Sequence, residues 1–93
     1  MKLVYTDEAI TDLKRLREFI AVHNPAAAAR VAEEMVSKIE MLPDFPKLGV
    51  SVELAPVPEK IRDIVFGKYI VRYSVHESAI IVLRIWHGLE GDR

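Results

Sequence analysis

The sequence predicts a single α+β domain in the order β-α-α-β-β-β, with an N-terminal strand and a helix hairpin packed on an antiparallel sheet. Three observations carry this prediction. The first half of the chain shows helical apolar periodicity, and the second half holds three runs rich in β-branched and aromatic residues. Length is the third, because 93 residues, 51% of them apolar, suffice for one core. Residues 1–93 are therefore expected to form one domain.

The N-terminal half predicts a strand followed by two helices. The apolar run 2–5 reads as a strand, and Thr6 behind it is a good helix N-cap. Asn24 and Pro25 are a restart signal, since Asn caps a helix and Pro is tolerated at its first position. Pro43 ends the second helix. The apolar stripes of the two helices are Ile10, Leu13, Leu16 and Ile20, and Val31, Met35, Ile39 and Leu42.

The C-terminal half predicts a connection and then a sheet. Residues 43–60 contain four of the five prolines and Gly49, so we expect an extended segment with a short edge strand near Val50 to Leu54. The three runs that follow are expected to be consecutive antiparallel strands. They are Ile61 to Phe66, Tyr69 to Val75 and Ala79 to His87.

The Gly-Lys dipeptide at 67–68 predicts the register of the first hairpin. A two-residue turn with Gly at its first position pairs Phe66 with Tyr69, which sets Asp63 opposite Arg72 on one face. The other face is the expected core, and it holds Arg62, Ile64, Phe66, Tyr69, Val71 and Tyr73.

The face assignment of the last strand depends on the next connection. If residues 76–79 keep an even register, Ile80, Val82 and Trp86 join the core face. The opposite face then receives Ile81, Leu83, Ile85 and His87. A shift of one residue would exchange the two sets.

Composition excludes several classes of function. The formal net charge of -1 gives no overall basic field for nucleic acid, and the absence of cysteine removes disulfides and thiolate metal sites. Three scattered histidines do not make a zinc site, so we expect no metal and no cofactor. The N-terminus lacks the apolar stretch of a signal peptide and no segment is long enough to span a membrane, so the expected location is cytoplasmic.

Five segments, in order along nearly the whole chain, resemble toxins of the ParE/RelE family, and the chain is closer to ParE. They read DLKRLREFI, HNPAAAARV, LPDFPKLG, IRDIVFGKYIVRY and VLRIWHG. The resemblance implies the toxin of a type II toxin–antitoxin, or plasmid stabilisation, system. It also implies a cognate ParD-like antitoxin as partner, with operator DNA reached only through that antitoxin.

The two activities of the family differ in chemistry. ParE-like members block DNA gyrase by binding, whereas RelE-like members cut messenger RNA on the ribosome with basic residues. Alignment with the RNA-cutting members places Ile70 and Glu90 where those carry arginines. The resemblance therefore favours gyrase inhibition. Other positions that are often basic in the family read Val50 and Leu89-Glu90 here. These changes leave open a weakened toxin or a target other than gyrase.

The enzyme alternative is a ribosome-dependent endoribonuclease that uses His87, Arg72 and Arg84, and a non-toxic interaction module is a third hypothesis. Each candidate also has a structural explanation. Arg72 can bind a phosphate or a partner's carboxylate, or it can pair with Asp63 across the strands. His87 can be a general acid or base, or it can pack beside Trp86 at the strand end. Arg84 can join an interface, or its stem can cover the core.

One face of the predicted sheet has no element left in the chain to cover it. An exposed apolar area of this kind marks a protein interface, and an antitoxin segment bound as a helix or an added strand would bury it. The predicted partner-binding residues are Val65, Ile70, Arg72, Ile81, Leu83, Ile85 and His87.

Overall fold

The computed structural model describes residues 1–53, 55–56 and 60–88. The described elements are β1 (Lys2–Tyr5), α1 (Asp7–His23), α2 (Pro25–Ile39), β2 (Val50–Ser51), β3 (Ile61–Phe66), β4 (Tyr69–Val75) and β5 (Ala79–His87). This order confirms the predicted α+β class and the helix hairpin. The short edge strand forms at β2, while Leu54 lies outside the described residues.

Both helices begin at the predicted caps. The Thr6 hydroxyl accepts a hydrogen bond from the backbone N–H of Ala9 at 3.0 Å. The side-chain oxygen of Asn24 accepts one from the N–H of Ala27 at 3.1 Å, and Pro25 occupies the start of α2. Each cap satisfies a backbone donor that has no partner within its helix.

The five strands form a mixed sheet in the order β1-β5-β4-β3-β2. The last three strands are antiparallel neighbours, as predicted, whereas β1 pairs parallel with β5. Only Thr6 separates β1 from α1, so the helix turns back at once and packs against β5. The hairpin α1–α2 therefore covers one face of the sheet.

The core lies between the helix hairpin and that covered face. The register Phe66↔Tyr69 and Asp63↔Arg72 is the predicted one. Gly67 has φ of +57° at the turn between them, as a hairpin with Gly in the first position requires. The buried core residues are Ala9, Leu16, Met35, Ile39, Leu42, Ile64, Val71, Tyr73, Ile80, Val82 and Ile85.

A β-bulge in β5 overturns the predicted face assignment of its second half. Tyr73 pairs with Val82, but the preceding residue Arg72 pairs with Arg84, so Leu83 is an extra residue in the ladder. Because one inserted residue exchanges the two faces, every side chain beyond the bulge changes side.

Two residues show the consequence of this bulge. Ile85, predicted for the uncovered face, is 0% exposed in the core. Trp86, predicted for the core face, joins the side of Arg72, whose guanidinium carbon lies 5.0 Å from the centre of the indole ring. The predicted positions of Ile85, Trp86 and His87 were therefore wrong, while those of Ile80, Val82 and Ile81 were right.

Candidate functional site

The face of the sheet turned away from the helices, called the open face below, carries apolar side chains from all five strands. Val65 is 58% exposed there, and Val4 and Val50 at the two edges are also exposed. Ile70 and Ile81 are partly buried. Val4, Val65, Ile70 and Ile81 alternate in their strands with residues that face the core, and Val50 pairs with Asp63, which places all five side chains on the open face.

At the tip of the β3–β4 hairpin, the open face forms a groove of about 380 Å³. Val65 and Ile70 supply its apolar wall and Lys68 its basic rim. His87 lines the groove at the end of β5, although its ring packs against Tyr69 on the covered side of the sheet. None of the described residues that line this groove is acidic. The groove therefore offers an apolar floor beside a basic group, which suits an amphipathic segment that carries acidic residues.

Asp63 and Trp86 both hold Arg72 on the open face. Its Nε donates to Oδ1 of Asp63 at 2.8 Å and its Nη2 to Oδ2 at 3.0 Å, a bidentate pair across the strands. Its guanidinium also stacks against Trp86, which is 2% exposed. The cross-strand ion pair expected from the turn is thus confirmed.

Arg84 is held by the helix hairpin and not by the sheet. Its Nε donates to Oδ2 of Asp12 at 2.8 Å, its Nη2 to Oδ1 at 3.1 Å, and its Nη1 reaches Glu8 at 3.4 Å. Asp12 also accepts the backbone N–H of Ile85 at 2.9 Å. Burial by itself raises the pKa of Asp12, but the Arg84 and Ile85 hydrogen bonds and the charges of Arg84 and Arg15 outweigh it and hold the pKa below its ordinary value.

Asp12 has a structural role that the sequence analysis missed. Strand β1 ends at Tyr5, so the edge of β5 beyond Val82 has no neighbouring strand. The Thr6 hydroxyl donates to the carbonyl of Leu83 at 2.9 Å, and the Asp12 carboxylate accepts the backbone N–H of Ile85. The N-cap and first turns of α1 therefore supply the hydrogen-bond partners that a neighbouring strand would give to this edge. The available signal was the position of this acidic residue on the helix face that carries Ala9 and Leu16. Asp12 lies three positions after Ala9 and four before Leu16, and both of these are buried.

The contacts described for the three candidate catalytic residues each involve a different partner. Arg72 binds Asp63, Arg84 binds Asp12, and the ring of His87 meets the edge of Tyr69 with centroids 5.3 Å apart. His87 therefore packs beside Tyr69, whereas the sequence predicted packing beside Trp86. The positions Leu89 and Glu90, used in the alignment with RNA-cutting members, lie outside the described residues.

The remaining expectations concern metals and membranes. Within residues 1–53, 55–56 and 60–88, no three His, Asp or Glu side chains come together in a way that could hold a metal ion. Over the same residues, neither helix combines the length and the apolarity that a membrane span requires.

Comparison with known proteins identifies relatives over most of the chain. Residues 3–91 match the family model described as ParE toxin of type II toxin–antitoxin system, parDE. Toxin RelE1 of Caulobacter vibrioides is 37% identical over 81 residues, which is 85% of this chain and 84% of that protein. Toxin RelE2 of the same organism is 29% identical over 87 residues, 94% of each chain.

A solved structure shares the fold. A chain from the chromosomal ParDE TA system of P. aeruginosa superposes with a TM-score of 0.78 at 22% identity, covering 94% of this chain and 95% of that one. Together with the family match across residues 3–91, this establishes that the chain belongs to the ParE/RelE family of type II toxin–antitoxin toxins.

Proposed function

We propose that this chain is a toxin that acts in the cytoplasm by binding DNA gyrase, and that a cognate ParD-like antitoxin neutralises it by covering the open face. The ParE family model supports this proposal, as does the likeness to a chain of a ParDE system. Operator DNA is then contacted by the antitoxin and not by the toxin, whose net charge is -1.

Both candidate arginines are bound by carboxylates, and this observation favours inhibition by binding over RNA cleavage. Cleavage would need a cation free to stabilise the charge that develops on the phosphate. Releasing Arg84 for that purpose would remove the bidentate partner of Asp12, whose side chain is only 4% exposed, and would leave it only the more distant Arg15 at 3.6 Å. Such a loss costs about 3 to 5 kcal/mol. Inhibition by binding needs no such release.

The open face supports the antitoxin part of the proposal. Exposed apolar side chains that continue across a sheet indicate a surface that a partner buries. Val65 and Ile70 lie beside Lys68, so an amphipathic tail could place apolar residues on the floor of the groove and a carboxylate at its basic rim. The residues assigned to this contact are Val65, Ile70, Arg72, Ile81, Leu83 and His87, and Ile85 is withdrawn because it is in the core.

The experiment is a supercoiling assay with purified gyrase holoenzyme and the full-length chain. We expect supercoiling to fall as toxin is added and to recover when the co-purified antitoxin is added in excess. Val65→Asp, which puts a charge into the groove, should still inhibit gyrase but should no longer be rescued by antitoxin. Undiminished supercoiling at a large excess of folded wild-type toxin would reject gyrase as the target.

A second candidate is ribosome-dependent cleavage of messenger RNA, because the relatives found in Caulobacter vibrioides are named RelE toxins. Mapping the 5′ ends of ribosome-bound messages after induction separates the two functions. We expect no new codon-associated ends. Cuts that appear with the wild-type chain and vanish with His87→Ala would make the endoribonuclease the better assignment.

A further inference from the structure

The two edges of the five-stranded sheet differ in length and in protection. At one end, β2 has two residues, and the Tyr73 hydroxyl fixes the loop before it by donating to the carbonyl of Pro46 and accepting the N–H of Gly49, each at 2.8 Å. At the other end, β1 has four residues and stands first in the strand order, with β5 as its neighbour. Short edge strands limit pairing with another chain, whereas a longer open edge favours it. The outer side of β1, called the β1 edge below, is therefore the side that can take up a further strand.

The backbone of β1 offers hydrogen-bonding groups at this edge. The N–H of Lys2 donates to the carbonyl of the residue before β5 at 2.9 Å, and that of Thr6 donates to the carbonyl of Val82 at 3.0 Å. Backbone groups of successive strand residues point to alternate sides. Leu3 and Tyr5 therefore turn their N–H and C=O groups away from β5, where the described chain provides no strand to pair with them. A strand added at this edge would satisfy these groups.

The positions along the β1 edge fit an antiparallel copy of the same strand. A twofold axis at Val4 sets Leu3 of each copy opposite Tyr5 of the other. These are the residues whose backbone groups point outward, so each pair can exchange both N–H···O bonds. The two Val4 side chains then lie opposite each other between these pairs, at the kind of position where facing side chains come closest. Val4 is 42% exposed on the open face, so this contact buries apolar area.

The charges at the two ends of β1 are opposite in sign. Lys2 is exposed at the start of the strand, and Asp7 is exposed just after its end, in the first turn of α1. Antiparallel pairing of two copies sets Lys2 of one opposite Thr6 of the other, next to the Asp7 of that second copy. The twofold axis makes this attraction occur twice. A strand with like charges at its two ends would instead repel its own copy.

Lys2 and Asp7 form no ion pair with any of the described residues. Glu77 lines a surface hollow beside Lys2, yet the two side chains stay beyond ion-pair distance. Glu8, the neighbour of Asp7, reaches Arg84 at 3.4 Å, so this second carboxylate already has a cation. A second copy therefore supplies Lys2 and Asp7 with the counter-charges that the described part of their own chain does not provide.

We infer that the β1 edge binds a second copy of this chain, and that the two sheets join there into one continuous sheet with five strands from each copy. The twofold axis runs perpendicular to the sheet, so both helix hairpins lie on one side and both open faces on the other. The paired Val4 side chains then connect the two open faces. An added strand from another protein would need only the backbone groups, and the order of charges at the two ends of β1 is what favours a second copy.

The first test is the mass of the purified full-length chain in solution, measured by sedimentation equilibrium. The wild-type chain should associate to twice the mass of one chain. Val4→Lys brings two like charges together at the axis and should raise the dissociation constant about tenfold or more. Val50→Lys is the matched control, because Val50 is 69% exposed on the edge strand at the other end of the sheet, and it should leave the dissociation constant unchanged. Thermal melting confirms that each variant is folded.

A charge exchange tests the second copy directly. Lys2→Glu and Asp7→Lys should each weaken the dimer when alone, because each variant meets its own copy with like charges. An equal mixture of the two variants should recover a mixed dimer, since every substituted charge then meets the opposite charge on the other variant. Lys60→Glu makes the same change of charge at the start of β3, away from the β1 edge, and should dimerise as wild type does.

Three results would overturn the inference. The first is a folded wild-type chain that stays single throughout the concentration range in which it is soluble. If such a chain also loses antitoxin binding through Val4→Lys, the edge takes an antitoxin strand instead of a second copy. The second is a dimer that withstands Val4→Lys but dissociates with Val65→Asp, which would place the contact on the open face. The third is a mixture of Lys2→Glu and Asp7→Lys that associates no better than either variant alone.

Discussion

Arg72 and Arg84 face each other across the β4–β5 ladder, yet they are held in opposite ways. Arg72 pairs with Asp63 on the next strand, nine residues away along the chain. Arg84 pairs with Asp12 on the first helix, 72 residues away. The first pair follows from a two-residue turn, whereas the second exists only because the helix hairpin folds back onto the sheet. The comparison shows that, of two paired arginines inside apolar strands, one can bind a carboxylate that is close in sequence and the other a carboxylate that is distant in sequence.

The pair of Arg84 and Asp12 also involves the backbone, whereas the pair of Arg72 and Asp63 joins two side chains. Asp12 accepts the N–H of Ile85 in addition to two guanidinium hydrogen bonds, so one carboxylate closes the open edge of β5 just after the bulge. In the part of the chain that the structure describes, the carboxylate oxygens of Asp63 accept hydrogen bonds from the Arg72 side chain and not from a backbone N–H. Losing Asp12 should therefore disturb the strand itself, and losing Asp63 should disturb mainly one side chain.

The largest expected effect is that of Asp12→Ala. It leaves a buried N–H and a partly buried guanidinium without their acceptor, so we expect a loss of about 3 kcal/mol in the free energy of unfolding. Urea denaturation of the purified variant measures it. A loss smaller than that of Asp63→Ala would contradict the ranking of the two pairs.

The next largest effect is the pH dependence of the contribution that Asp12 makes to the free energy of unfolding. The pKa of Asp12 in the folded chain lies below its ordinary value of 3.8, so its stabilisation is present above that pH and is lost as pH falls through the lower, folded-state pKa. The stability difference between wild type and Asp12→Asn should therefore shrink between about pH 5 and pH 2. Thermal melts of both proteins across this range provide the measurement, and a difference that stays constant would argue against a charged Asp12.

The smallest effect is expected for Asp63→Ala. Both side chains of this pair are about one-fifth exposed, and Arg72 keeps its contact with Trp86, so we expect a loss of about 1 kcal/mol. A double-mutant cycle with Arg72→Ala isolates the pair from the Trp86 contact. A coupling energy near zero would mean that the indole ring, and not Asp63, holds Arg72 in place.

Much of the fold was predictable because the signals are local. Thr6 and Asn24 cap the helices through donors three residues away, and the Gly67 turn fixes the pairing of Phe66 with Tyr69 and of Asp63 with Arg72. Of the site, Val65, Ile70 and Ile81 lie on the predicted open face. Ile85 does not, because the bulge at Leu83 exchanges the faces beyond it and nothing in the strand sequence marks the bulge.

Caps, periodicity and motifs act within a few residues, so they were enough to predict the elements, their order, the first hairpin register and the family. The parallel pairing of β1 with β5, and the completion of the β5 edge by Asp12 of α1, became known only from the folded chain. The same is true of the sides that Trp86 and Ile85 face. The backbone groups at the edge of β5 need hydrogen-bond partners, and these partners lie far away along the chain. Which groups pair there therefore depends on where the helix packs.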